Sequence, residues 1–206
     1  MAHGNVVQLY LDEQRARNPR KSFNECLGST GKLQSHSDQA FVVNHVYVHN
    51  GACAAMCVQT MCGHLLGRRP SQAEMTEIGQ WLMAGDSGER TQKLLDFCKL
   101  RGIKFVGHLK GNWHALYDEL EGGEYLTTEG GFYHMVVVMP SQGGPGHAFL
   151  VYQPDAKNWC LYDPNFGTAQ FPSKNACKVA FKFILQNIYP DFGPYFKFVI
   201  YRFSPW

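Results

Sequence analysis

The sequence predicts an α+β fold, with helical segments first and an antiparallel sheet after them, and three observations carry this. Apolar residues recur at helical spacing between Cys53 and Gly67, and cap and glycine signals frame two more helices before residue 103. From residue 132 onward, β-branched and aromatic runs alternate with turn signals. The chain of 206 residues is 45% hydrophobic and 14% aromatic with 17% charged residues, enough apolar material for one domain with a real core.

Residues 1–38 are polar, broken by Pro19, Gly28 and Gly31, with charges packed between Asp12 and Lys21. They are expected as a loosely held arm or a secretion signal, leaving residues 39–206 as a single domain. FVVNHVYV (41–48) reads as a strand that Asn50 and Gly51 break. In the next segment Ala54, Val58, Met61 and Leu65 mark one face of a helix, with Gly67 at its C-terminus. Ser71 and Ser87 are N-cap choices for helices near 72–84 and 88–101, closed by Gly85 and Gly102. Strands follow at 103–109 and 132–139, with a short helix from His114 to Leu120 between them. GHAFLVYQ and NWCLYD flank the turn signal PDAK, and GTAQF continues the meander. A helix from about Ser173 to Tyr189 precedes YFKFVIYRF, which is apolar at both parities and so suits an interior strand.

The composition also excludes. A net charge of +2 provides no field that selects nucleic acid or an anionic membrane. Apolar runs such as Met135 to Met139 fall far short of the roughly 18 residues of a spanning helix. The first thirty residues have no apolar signal core and no small-residue cleavage site, so classical signal-peptide export is not expected. Seven cysteines without a CxxC pair predict reduced thiols rather than a disulfide framework. Nine histidines come without HExxH, and Cys53, Cys57, Cys62 and His64 lack zinc spacing, so neither metal nor cofactor is expected.

Three residues combine into chemistry. Cys53 falls in the first turn of its helix, where unpaired N–H groups and the helix dipole favour a thiolate. His147 opens a strand after the run Gly143, Gly144, Pro145, Gly146, and Asp163 closes the next strand before Pro164. An imidazole there can take the thiol proton and later protonate a leaving group, while a carboxylate orients the ring. For His147 to stand opposite Asp163 in a hairpin, the loop must contain an odd number of residues, three or five, or the strand must carry a bulge. His147, Phe149 and Val151 then share a face with Trp159, Leu161 and Asp163, and the helical part is expected to cover that face. Each residue also has a plain structural role open to it: Cys53 as a small buried hydrophobe, His147 as a strand-end histidine, Asp163 as a turn former. Cys62, Cys98, Cys160 and Cys177 read as core, and Cys57 lies a turn too deep in the helix for the dipole to help much.

The Gly51-Ala52-Cys53 helix start, the GHAFLVY strand and above all YDPNFG from Tyr162 to Gly167 resemble the YopT and AvrPphB type of bacterial effector cysteine protease. The resemblance runs from about residue 41 to 171 in the order Cys, His, Asp. It implies a papain-like fold, the helical part with the cysteine packed on an antiparallel sheet that carries His and Asp. It implies a Cys53, His147, Asp163 triad that cleaves a host protein through an acyl-thioester without a cofactor. It further implies delivery by a nonclassical, type III-like route and action in the host cell cytoplasm. One departure concerns the oxyanion donor: such folds place an amide side chain five or six residues before the cysteine, where this chain has Val48 and Tyr47. Asn50, Asn44 or the Cys53 backbone N–H is left for that role. The tryptophan-bearing pattern later in the cysteine helix is replaced by His64 and Leu65. The same three side chains also suit a deamidase, an acyltransferase or a peptidoglycan amidase, and the fold can serve as a noncatalytic binding module.

Overall fold

The computed structural model describes residues 19–36, 53–71, 73–77, 87–127, 131–140, 146–189 and 196–205. Seven strands lie within them: β1 (Lys32–His36), β2 (Ile103–Asn112), β3 (Tyr133–Met139), β4 (His147–Asp155), β5 (Asn158–Asp163), β6 (Gly167–Phe171) and β7 (Lys197–Pro205). All pair antiparallel in one sheet of order β1-β6-β5-β4-β3-β7-β2. The helices are α1 (Pro19–Cys26), α2 (Cys53–Leu65), α3 (Ser87–Leu100), α4 (Trp113–Glu121) and α5 (Lys174–Asn187).

Helices cover both faces of the sheet, which is why the first four residues of β3 and the first six of β4 are buried without a break instead of alternating. Met135, Ala148, Leu150, Tyr152, Cys160 and Tyr162 point to the face under α2 and α3. Val136, Val138, Phe149, Val151, Leu161 and Ile200 point to the other, where α1, α4 and α5 supply Phe23, Leu116, Phe181 and Ile184. Truncating one of these buried phenylalanines to alanine costs about 3–5 kcal/mol, because the cavity adds to the lost transfer energy.

The α+β class holds, but the layering differs from a helical part followed by a sheet. α4 and α5 are inserted between strands and close the second face. The capping chemistry explains where they start. The Asn112 side-chain oxygen accepts from the Ala115 N–H at 3.3 Å, and the Ser173 hydroxyl accepts from the Ala176 N–H at 3.2 Å. β2 runs three residues beyond its expected end, since its alternating pattern continues along β7 to Asn112. β7 is an interior strand, paired to β3 and β2.

Part of the expected loose arm is built into the fold. Phe23 is fully buried and its ring stacks on Phe166 at 4.4 Å, while β1 pairs with β6 at the sheet edge. The polar composition of this segment is met by edge placement, where one side of the strand faces water. The strand expected at 41–48 lies outside the described residues; of the helix expected at 72–84, residues 73–77 are described and helical. No described helix is long and apolar enough to cross a membrane.

Candidate active site

Cys53 is the first residue of α2, and α2 packs along β4. This packing brings the thiol over the start of β4, where the backbone N–H groups of Ala148 and Ala54 favour the thiolate. His147, the residue before Ala148, is the first of β4 and is 5% exposed. The strand can begin so tightly there because Gly146 has no side chain: a Cβ would stand 2.6 Å from the Val138 carbonyl oxygen.

By parity His147 belongs to the face under α5, whereas Cys53 belongs to the face under α2. The sequence expectation that the cysteine helix covers the histidine's face is therefore corrected. The two side chains meet around the end of β4, close enough that each shifts the titration of the other.

Asp163 ends β5 and is fully buried. Its Oδ1 accepts from His147 Nε2 at 3.0 Å, which leaves His147 Nδ1 as the nitrogen available to a thiol. The register differs from direct opposition. Leu150 stands opposite Tyr162, so Asp163 is level with Phe149, two residues along from His147 on the same face. The even offset that parity demands arises from a two-residue turn, Ala156 and Lys157, combined with an irregularity between Tyr152 and Asp155. Pro154 sits in that irregularity, where its missing N–H breaks no ladder bond.

The DPNFG segment is a turn that fixes the carboxylate. The Phe166 N–H donates to the Asp163 carbonyl at 3.0 Å, and the Asn165 N–H donates to Asp163 Oδ1 at 2.9 Å. Gly167 pairs with Asp163 at φ 127°, a conformation that side chains rarely adopt. Turn former and histidine partner are thus one residue, not alternatives.

The electrostatics separate Cys53 from the other six cysteines. Burial by itself raises its thiol, but the hydrogen bond and charge of His147 and the two backbone N–H groups reverse this and hold it below the usual 9.0. Burial likewise lowers His147, yet the charge and hydrogen bond of Asp163, with those of Cys53, lift the imidazole to about 10. The opposite shifts favour a thiolate and imidazolium pair at neutral pH. Cys57 is pushed well up by burial, Cys62 and Cys160 to about 11 and Cys98 to about 12, while Cys26 and Cys177 are raised as well. All seven are free thiols.

Two residues of this cluster were not singled out by the sequence. The Tyr189 hydroxyl donates to Asp163 Oδ2 at 2.7 Å and lies 3.1 Å from His147 Nε2, and Asn165 Nδ2 donates to the Tyr189 oxygen at 2.9 Å. Tyr189 is adjacent only through the fold, because α5 returns it to the start of β4; Asn165 is visible inside DPNFG, but the direction of its side chain is not. Asn50 and Asn44, named for the oxyanion, lie outside the described residues. His64 is held by the Tyr152 hydroxyl at 3.2 Å, and the cleft it lines with Thr60, Gly63, Gly67, Arg68 and Arg69 is at the opposite end of α2 from Cys53. Among the described residues no cluster of three or more His, Cys, Asp or Glu could hold a metal ion.

No family model matches the chain, and no curated protein matches it by sequence. Solved structures do. The Pseudomonas avirulence protein AvrPphB superposes with a TM-score of 0.55 at 15% identity, over 82% of this chain and 96% of that one. PatoxP, a cysteine protease-like domain of the Photorhabdus asymbiotica toxin PaTox, gives 0.51 at 12% identity, over 96% of this chain and 62% of that one. Identities this low speak to fold. The chain has the α+β fold of papain-like cysteine protease domains, and it is similar in structure to AvrPphB, as the DPNFG motif led one to expect.

Proposed function

We propose that the chain is a cysteine endopeptidase in which Cys53, His147 and Asp163 form the catalytic triad. The observation that carries this reading is the buried hydrogen bond from His147 to Asp163 beside the Cys53 thiol, with the thiol lowered and the imidazole raised by each other's presence. The Cys53 thiolate attacks a peptide carbonyl, and the developing oxyanion is met by a backbone N–H at the start of α2 and, in this proposal, by the Asn50 side chain. Imidazolium at His147 then gives its proton to the leaving amine, so that the C–N bond breaks and an acyl-thioester remains on Cys53. Water, deprotonated by neutral His147, attacks the thioester and regenerates the thiol. Asp163 keeps the ring oriented and supports its positive charge throughout.

The likeness of the fold to an avirulence protein and to a toxin domain supports a bacterial effector, secreted by a nonclassical route and acting on a host protein in the host cytoplasm. New protein N-termini across a host-cell lysate, compared after exposure to wild type and to Cys53→Ala, test the reading. Wild-type-specific termini with a shared sequence context are expected. Substrates that gain roughly one mass unit without chain cleavage would replace proteolysis by deamidation, and cleavage that persists in Cys53→Ala would remove the thiol mechanism.

A further inference from the structure

We infer that Tyr189, held by Asn165, is a positioning residue that sets the tautomer of His147 and the orientation of the Asp163 carboxylate. This rests on the protease reading and adds to the triad a residue from just beyond the end of α5.

Hydrogen-bond chemistry assigns the roles. Tyr189 has one hydroxyl hydrogen, and around its oxygen stand Asp163 Oδ2 at 2.7 Å, Asn165 Nδ2 at 2.9 Å and His147 Nε2 at 3.1 Å. An amide nitrogen only donates and a carboxylate only accepts, so the tyrosine oxygen receives the Asn165 hydrogen and gives its own to Asp163. Only a lone pair is then left for His147. Nε2 faces two acceptors, Asp163 Oδ1 and the Tyr189 oxygen, and must carry the ring hydrogen in the neutral state. Nδ1 is thereby kept as the base for Cys53. Burial first, and the charge of Asp163 after it, push the Tyr189 phenol well above its usual range, so the hydroxyl keeps its hydrogen over the working pH.

The ring adds a second contribution. It stacks on the His147 imidazole with centroids 4.8 Å apart and 25° between planes, and its edge contact with Phe149 at 5.4 Å fixes it there. An aromatic face against an imidazolium favours the charged form. The hydroxyl therefore sets geometry and tautomer, while the ring supports charge.

The test separates the two by Tyr189→Phe, which keeps the ring and removes the oxygen, with Asn165→Ala beside it. The readout is the rate of iodoacetamide alkylation at Cys53 against pH, resolved by peptide mass, so that no substrate is needed. Tyr189→Phe should move the profile toward that of an ordinary thiol and slow alkylation at pH 7 about tenfold, as for loss of one hydrogen bond to a charged group. Asn165→Ala should move it the same way by less. A residue that only stabilises the fold would lower the melting temperature and leave the profile in place; a lowered wild-type profile that neither variant shifts overturns this inference alone. Should Tyr189→Phe fail to fold by circular dichroism, Asn165→Ala decides by the same criterion. An ordinary-thiol profile already in the wild type would overturn the protease reading, and this inference with it.

Discussion

At Asp163 the carboxylate accepts from His147 Nε2 and the Asn165 N–H on Oδ1, and from the Tyr189 hydroxyl on Oδ2. Replacing it by asparagine keeps the size and the turn but removes the charge that most raises His147. Asp163→Asn should therefore fold, lower kcat about a hundredfold or more, and leave KM nearly unchanged. It should also change the pH profile. The imidazolium exists below its pKa, so when that value falls from about 10 toward 6.5 the alkaline limit of activity moves to lower pH. Unchanged activity and an unchanged alkaline limit in the folded variant would reduce Asp163 to a turn former. The three residues were legible because each sits at a chain-local signal: a helix start, a strand start after glycines, a strand end before proline. Tyr189 was not, since its position depends on where a whole helix ends in space.

Among the elements, α5 connects packing to the site. Its first turn is fixed by the Ser173 cap, Ile184 is fully buried against the sheet, and the chain after it closes through Ile188 and Tyr189 N–H bonds to the Ile184 carbonyl. Ser173→Ala leaves the Ala176 N–H without its partner and should cost about 1 kcal/mol, or about 2–4 °C in melting temperature for a chain of this size. Scanning calorimetry reads it directly, and a melting temperature within 1 °C of wild type, roughly, would show that the cap contributes nothing. Helix and strand order along most of the described chain followed from periodicity and caps. The register did not, because a two-residue turn with a strand irregularity and a three-residue turn satisfy the same parity. Nor did the layering: a strand apolar on both sides, such as β4, states that it is covered twice but not by which helices.

For the whole molecule, the candidate site forms only where four elements converge, α2 from one face of the sheet, the shared end of β4 and β5, and the end of α5 from the other. Neither face alone holds the full set. The central claim is that Cys53, His147 and Asp163 act as one unit on a peptide bond, and non-additivity tests it most directly. The measurement is kcat/KM for cleavage of a substrate protein by Cys53→Ala, by His147→Ala and by the double variant, each confirmed as folded. A thiolate that His147 must activate predicts that the double variant is no slower than Cys53→Ala alone, because the second removal takes away a partner with nothing left to serve. Losses that multiply, with the double variant slower by the product of the single effects, would contradict the triad.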